Sequence, residues 1–525
     1  MPHPLGSDVN RGQVWLLSCW SRSGRQTNKR KGASMQQLTG LDEMFLSLDT
    51  RRSTGHAAAL AYFDGSSGEP RDELAFLRQR IAERLPNLPL FRWKLHDMPL
   101  GIDQRYWVTT PDLDLDYHVT GIKLRAPGGE KELERTVDRI MREHLDRDRP
   151  MWRMYVITGL ADGRYCYLLK LTHGLADGSV IWAVYELLSD DPAEPLVTAE
   201  EELPTPPNRL GMLAKGTVGL ARKPVEIVKL QAELAKWAKS KGGKQPSPVL
   251  STAARLLPGE LGKPVAKLAN RLRGDDSTDV ASLMPTLRPP KVVFNGTSTT
   301  DVTNVHVRLK IAELRKAGKL VGGTINDAVL AITAGALRKY LADHGGAPER
   351  PLITAAPISW RNGTETERWA NQIWMLFMPI PTHLDDPLER LKYARAAANQ
   401  AKLDWDGVPG HLLRRISALV PGALVTTSAQ ILSYLPGALN PQIYNLSISN
   451  VRGPAKSPTF GGREIENYVV YGFLPPGIGL LVAGQSLGDH ISLCTTLCRD
   501  LMPGYEKLPG LLQESLDELL ELAQD

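Results

Sequence analysis

The stretch LKLTHGLADGSV, residues 169–180, decides how this chain is read. Ahead of it runs RYCYLLKL (164–171), dense in aromatic and branched residues, which predicts a strand. Behind it, Gly-Leu-Ala-Asp-Gly gives way to SVIWAVYELL (179–188), which reads as a buried helix. His173 therefore falls at a strand end, on the turn into a helix, where two rigid elements can fix a reactive side chain. An imidazole titrates near neutrality, so it can serve as a general base once a partner oxygen sets its tautomer; backbone at the strand end can supply that oxygen. Asp177 suits a carboxylate that locks the turn, held by an arginine or by backbone N–H groups. Gly178 lets backbone or substrate come close. Spacing alone is weak grounds: His144-Leu-Asp-Arg-Asp148 repeats the His-x-x-x-Asp separation, yet Arg149 and Pro150 follow it and it closes a charged helix.

At 525 residues the chain exceeds one ordinary core, so two large halves are expected. Its hydrophobic fraction (42%) and charged fraction (23%) are those of a globular protein. The four cysteines, Cys19, Cys166, Cys494 and Cys498, are too few for a disulfide framework and suit a reducing compartment. CTTLC (494–498) has no companion histidine cluster, and its cysteines read as core residues rather than zinc ligands. No phosphate loop or nucleic-acid module is apparent, which argues against DNA or RNA as a partner.

Residues 1–34, basic and polar around the short run VWLLSCW, read as a disordered extension or the product of an upstream start codon. Residues 35–204 form a first α/β half, with strands at 57–63 and 105–110 and helices at 72–85 and 130–145. Residues 205–290 carry fifteen Lys and Arg against six Asp and Glu, a net of +9 within a chain of net +5. Pro and Gly break this stretch, so it reads as a linker of short basic amphipathic helices. Such faces also suit anionic lipid headgroups. Residues 291–525 form a second half. There Thr324 is a candidate N-cap with Asp327 at the third helical position. Residues 416–451 and 467–488 are uncharged, but prolines break the first run and neither predicts a membrane span.

HGLADG resembles the HxxxDG core of the CoA-dependent acyltransferase superfamily. LTGLDEMFLSLDT (38–50), RPMWRMYVITGL (149–160), TINDAVLA (324–331) and LSISNVRGP (446–454) are in turn similar, in order, to motifs of its wax ester synthase/acyl-CoA:diacylglycerol acyltransferase branch. The nearest resemblance is to actinobacterial members that store triacylglycerol. One position departs: the family usually has two adjacent histidines, and the first is Thr172 here.

The resemblance implies an α/β fold of two chloramphenicol-acetyltransferase-like halves with an active-site channel between them. It implies His173 as general base, with Thr172, Asp177, Gly178, Asn326, Asp327 and Asn450 supporting the site. Trp152 is expected to pack, and Asn450 and Gly453 to form a turn facing the cleft. Long-chain acyl-CoA would be a co-substrate, with no bound cofactor or metal, and diacylglycerol or a fatty alcohol the acceptor. The enzyme would be cytoplasmic, peripherally associated with membrane or lipid droplets. A condensation-type acyltransferase of the same superfamily and a non-catalytic lipid-surface-binding member are the alternatives.

Overall fold

The computed structural model describes residues 36–193, 196, 207–240, 289–359, 369, 371–405, 415, 426–427, 430–431, 434 and 442–524. The expected extension at 1–34, the linker beyond Ser240 and most of the uncharged run at 416–441 lie outside them.

In chain order the first half holds β1 (Gln36–Gln37), α1 (Gly40–Ser47), β2 (His56–Phe63), α2 (Glu73–Arg84), β3 (Trp93–His96), β4 (Tyr106–Thr109), α3 (Leu115–His118), β5 (Val119–Lys123), α4 (Glu130–Arg142), β6 (Trp152–Thr158), β7 (Tyr165–Thr172) and α5 (Gly178–Leu188). Next comes α6 (Arg209–Ser240). The remainder holds β8 (Val302–Lys310), α7 (Ile311–Lys319), α8 (Ile325–Asp343), β9 (Leu352–Ser359), β10 (Ile373–Ile380), α9 (Pro387–Trp405), β11 (Leu446–Val451), β12 (Thr459–Phe460), β13 (Arg463–Tyr471), β14 (Leu480–Leu487), β15 (His490–Cys498) and α10 (Leu508–Glu521).

β7 is buried along its whole length, which explains its nearly unbroken apolar run: a central strand is covered on both faces. Its one cation, Lys170, donates to the carbonyls of Ile140 (2.5 Å) and Glu143 at the end of α4. α4 buries Leu133, Val137, Ile140 and Met141 and turns its charged side to solvent. α5 lies on the other face, where the Tyr185 hydroxyl meets the Ala59 and Tyr167 carbonyls.

Two six-stranded sheets organise the molecule, ordered β12-β13-β2-β7-β6-β5 and β10-β9-β11-β14-β15-β8. The division by chain position does not separate them. β12 and β13 come from the second half's sequence yet pair into the first sheet, with Val469 opposite Leu60. The uncharged segment after Tyr471 then crosses to β14 in the second sheet. A polar cluster also joins the halves. Asp138 of α4 accepts from Thr303 (2.7 Å), Asn304 (3.1 Å) and Arg499 (2.8 Å).

The expected short helices of the basic linker are, as far as Ser240, one 32-residue helix that runs through Pro224. Its glycines serve docking rather than breakage. A Cβ at Gly216 would lie 2.8 Å from Ile102 Cδ1, and one at Gly219 2.8 Å from Asp103 Oδ2. Among the described residues no helix is long and apolar enough to cross a membrane.

Candidate active site

His173 follows the last residue of β7, and Asp177 caps α5, so the strand–turn–helix reading of 164–188 holds. The ring of His173 lies against Phe45 of α1 (centroids 4.2 Å apart) and Phe473 of the crossing segment (5.4 Å). Its Nδ1 is buried without a partner in another of the described residues. Burial pushes the imidazole below its usual pKa, opposed by the Asp177 carboxylate and by its own backbone. A ring so placed is neutral at pH 7, as a general base must be.

The backbone of His173 is held at both ends. Its N–H donates to the Gly55 carbonyl (2.9 Å), and its carbonyl accepts from Asn371 Nδ2 (2.8 Å). Of the two expected modes of support for Asp177, bonding to backbone N–H groups is present. Oδ1 accepts from Ser179 (3.1 Å) and Val180 (3.2 Å), and Oδ2 from the Gln372 N–H (3.3 Å). A close approach within the protein is found at Gly174, where a Cβ would lie 2.4 Å from Leu46 Cγ. At Gly178 it would meet only Val451 Cγ2 at 3.6 Å, an ordinary contact. Gly174 is therefore the position at which α1 needs a glycine.

Thr172 is fully buried, and its hydroxyl has no hydrogen-bond partner among the described residues. Directly across the strand pair stands His56, equally buried. Burial pushes His56 down to about 4, despite the Asp49 carboxylate 3.8 Å away. The decoy His144 donates through Nδ1 to that same Asp49 carboxylate (2.8 Å).

The other motif residues divide. Asn450 lies in β11, opposite Gly484, rather than in a turn. The neighbouring Val451 brings its strand against Gly178, while the Gly453 N–H meets Ser486 Oγ (2.9 Å). Asp327 closes a capping box with Thr324 at the start of α8, and Asn326 sits in the same first turn. The observed bonding of Asp327 is that of a helix start. Trp152 packs: its Nε1 donates to the Phe91 carbonyl (2.9 Å), and its ring stacks on Phe91 and on His118. Cys494 and Cys498 are buried in β15.

Sequence reasoning missed Asn371, Gln372, Phe45 and Phe473. The signal for Phe45 was its place inside the 38–50 motif. Asn371 and Gln372 are a polar pair set immediately before an apolar strand, a pattern that carries no chemistry by itself.

Between the halves lies a small open cleft, lined by Arg52, Thr54 and Arg142 on one side and by Thr300 and Phe473 on the other. Phe473 thus touches both the cleft and the histidine.

Paired sheets flanking a histidine turn are an arrangement already known. The fold matches the wax ester synthase/diacylglycerol acyltransferase from Marinobacter aquaeolei VT8 (TM-score 0.63, 22% identity, 94% of this chain and 100% of that one). It also matches the first condensation domain of the calcium-dependent antibiotic synthetase (TM-score 0.55, 15% identity, 94% and 98%). These likenesses define a two-domain fold of the chloramphenicol-acetyltransferase type. The particular family follows from the sequence. Residues 38–329 match the wax ester synthase/diacylglycerol acyltransferase catalytic domain and residues 369–520 the WS/DGAT C-terminal domain, and the chain belongs to that family. Among relatives, a putative diacylglycerol O-acyltransferase of Mycobacterium tuberculosis is 28% identical over 94% of this chain and 92% of its own. The probable diacylglycerol O-acyltransferase tgs2 of the same species is 28% identical over 91% and 97%.

Proposed function

We propose that the protein is an acyl-CoA-dependent O-acyltransferase that esterifies diacylglycerol to triacylglycerol, with fatty alcohols as second acceptors. The observation that carries this is a neutral, half-buried imidazole on a clamped turn beside a cleft between the two halves, in a chain of this family. With Nδ1 buried, Nε2 takes the proton of the acceptor hydroxyl as its oxygen attacks the thioester carbonyl. The tetrahedral intermediate collapses by breaking the C–S bond, and the imidazolium returns the proton to the CoA sulfur. Water is kept from the ring by Phe45 and Phe473, which favours the alcohol over hydrolysis. Diacylglycerol is the preferred acceptor because the mycobacterial relatives carry that name.

Peripheral contact with a lipid surface fits the exposed side chains. Leu100, 83% exposed at a positive φ, lies in the short turn on which α6 packs. α6 itself exposes Leu210, Val218 and Val225 among the cations Lys215 and Arg222.

The test is turnover of long-chain acyl-CoA on diacylglycerol or fatty alcohol in anionic vesicles, following CoA release and ester product. His173→Ala is expected to lose about 10²- to 10⁴-fold in rate. Equal rates in both proteins would remove His173 from the chemistry.

A further inference from the structure

The Asn371 amide nitrogen touches two groups at once. It donates to the carbonyl of His173 (2.8 Å) and to Asp42 Oδ1 of α1 (2.7 Å). An amide nitrogen has two hydrogens, so one atom serves both acceptors. Asn371 is 2% exposed and Asp42 3%. Asp42 is itself fixed at the start of α1, where its Oδ2 accepts from the Thr39 N–H (3.0 Å) and hydroxyl (2.7 Å). α1 also carries Phe45, the residue stacked on the imidazole. One residue further along, the Gln372 N–H reaches Asp177 at the other end of the same turn.

We infer that Asn371 is a positioning residue. It pins the catalytic turn to α1 from a segment leading into a strand of the second sheet, so that the base is held in place only when the two halves are docked. The inference rests on His173 being the base. Asn371 touches neither ring nitrogen, and it acts through the His173 carbonyl and through Asp42. Its loss frees one end of the His173 peptide while the cleft walls stay as they are.

The geometry separates two explanations of the residue. If Asn371 only bonds Asp42 and so holds the halves together, exchanging the two side chains keeps that bond. If it positions His173, the exchange fails, because a carboxylate at 371 faces the His173 carbonyl oxygen with no proton to offer.

The experiment compares kcat and KM for Asn371→Ala and for the exchanged pair Asp42→Asn/Asn371→Asp, per folded molecule by circular dichroism and gel filtration. Asn371→Ser replaces the alanine variant should that not fold. Asn371→Ala is expected to lower kcat about 10- to 100-fold with KM for acyl-CoA within about twofold. The exchanged pair is expected to stay equally slow. Parent kcat in either protein would overturn the inference, as would a loss confined to KM. His173→Ala runs alongside. If it is as fast as the parent, the base assignment fails; if it is slow while Asn371→Ala is fast, only the positioning role fails.

Discussion

Asp177 offers the sharpest test of how the turn is held. It is 2% exposed, caps α5 through Oδ1 and takes the Gln372 N–H through Oδ2. Replacement by alanine removes an N-cap, worth about 1 kcal/mol. It also strands the Gln372 N–H, which costs about 1–3 kcal/mol more if water does not reach it. Asp177→Ala should therefore lose about 2–4 kcal/mol by urea unfolding at pH 7.5. Asp177→Asn can keep the cap through its own Oδ1, but its NH₂ then meets the Gln372 N–H, so it should lose only the second part. Both variants should also slow turnover, because the turn loosens. The pH profile supplies an independent sign. The Asp177 carboxylate favours the imidazolium form of His173, so its removal lets burial push the ring further down. The acid limb of kcat/KM then moves to lower pH in both variants. Parent-like stability in Asp177→Ala, with activity alone abolished, would refute the capping argument. It would make Asp177 a participant in the chemistry.

Two further outcomes follow from the buried histidines. Thr172→His, which restores the family's usual pair, should cost about 1–3 kcal/mol with no gain in kcat, because His56 already fills the space opposite; an unchanged Tm with faster turnover would contradict this. His118 is 1% exposed and stacked on Trp152, and burial pushes it down to about 4. The unfolded chain then binds more protons than the folded one between about pH 6.5 and 4, so stability falls as pH drops through that window. The loss is up to about 3 kcal/mol, and urea titrations at pH 7 and 4.5 should show a smaller difference in His118→Gln than in the parent.

What was legible in the sequence was local. The strand of 164–171, the α5 helix, the Thr324 cap and the charged helix of 130–145 all follow from periodicity and capping chemistry, and all are present. What was hidden was pairing at long range. Nothing in REIENYVVY says that its neighbour is HAAALAYF, because each would suit a place in either sheet. The same holds for the site. His173 announces itself by its turn, while Asn371 matters only because folding brings it to a carbonyl from the other half. The linker misled for a different reason: glycines that suggest interruption in sequence are contact points where a helix lies close to its support.

The exchange of β12 and β13 into the first sheet has a consequence for biosynthesis. As the chain leaves the ribosome, β2 emerges early, and β7, its partner on one side, soon after. The other edge stays bare until β13 is made, after the intervening strands β8 to β12. Throughout that interval an all-buried strand presents unpaired backbone to the cell, the kind of edge that templates aggregation. The nascent chain should therefore lean on chaperones until its last strands arrive. Truncations that spare every residue of the first half's sequence but end before Arg463 should be insoluble.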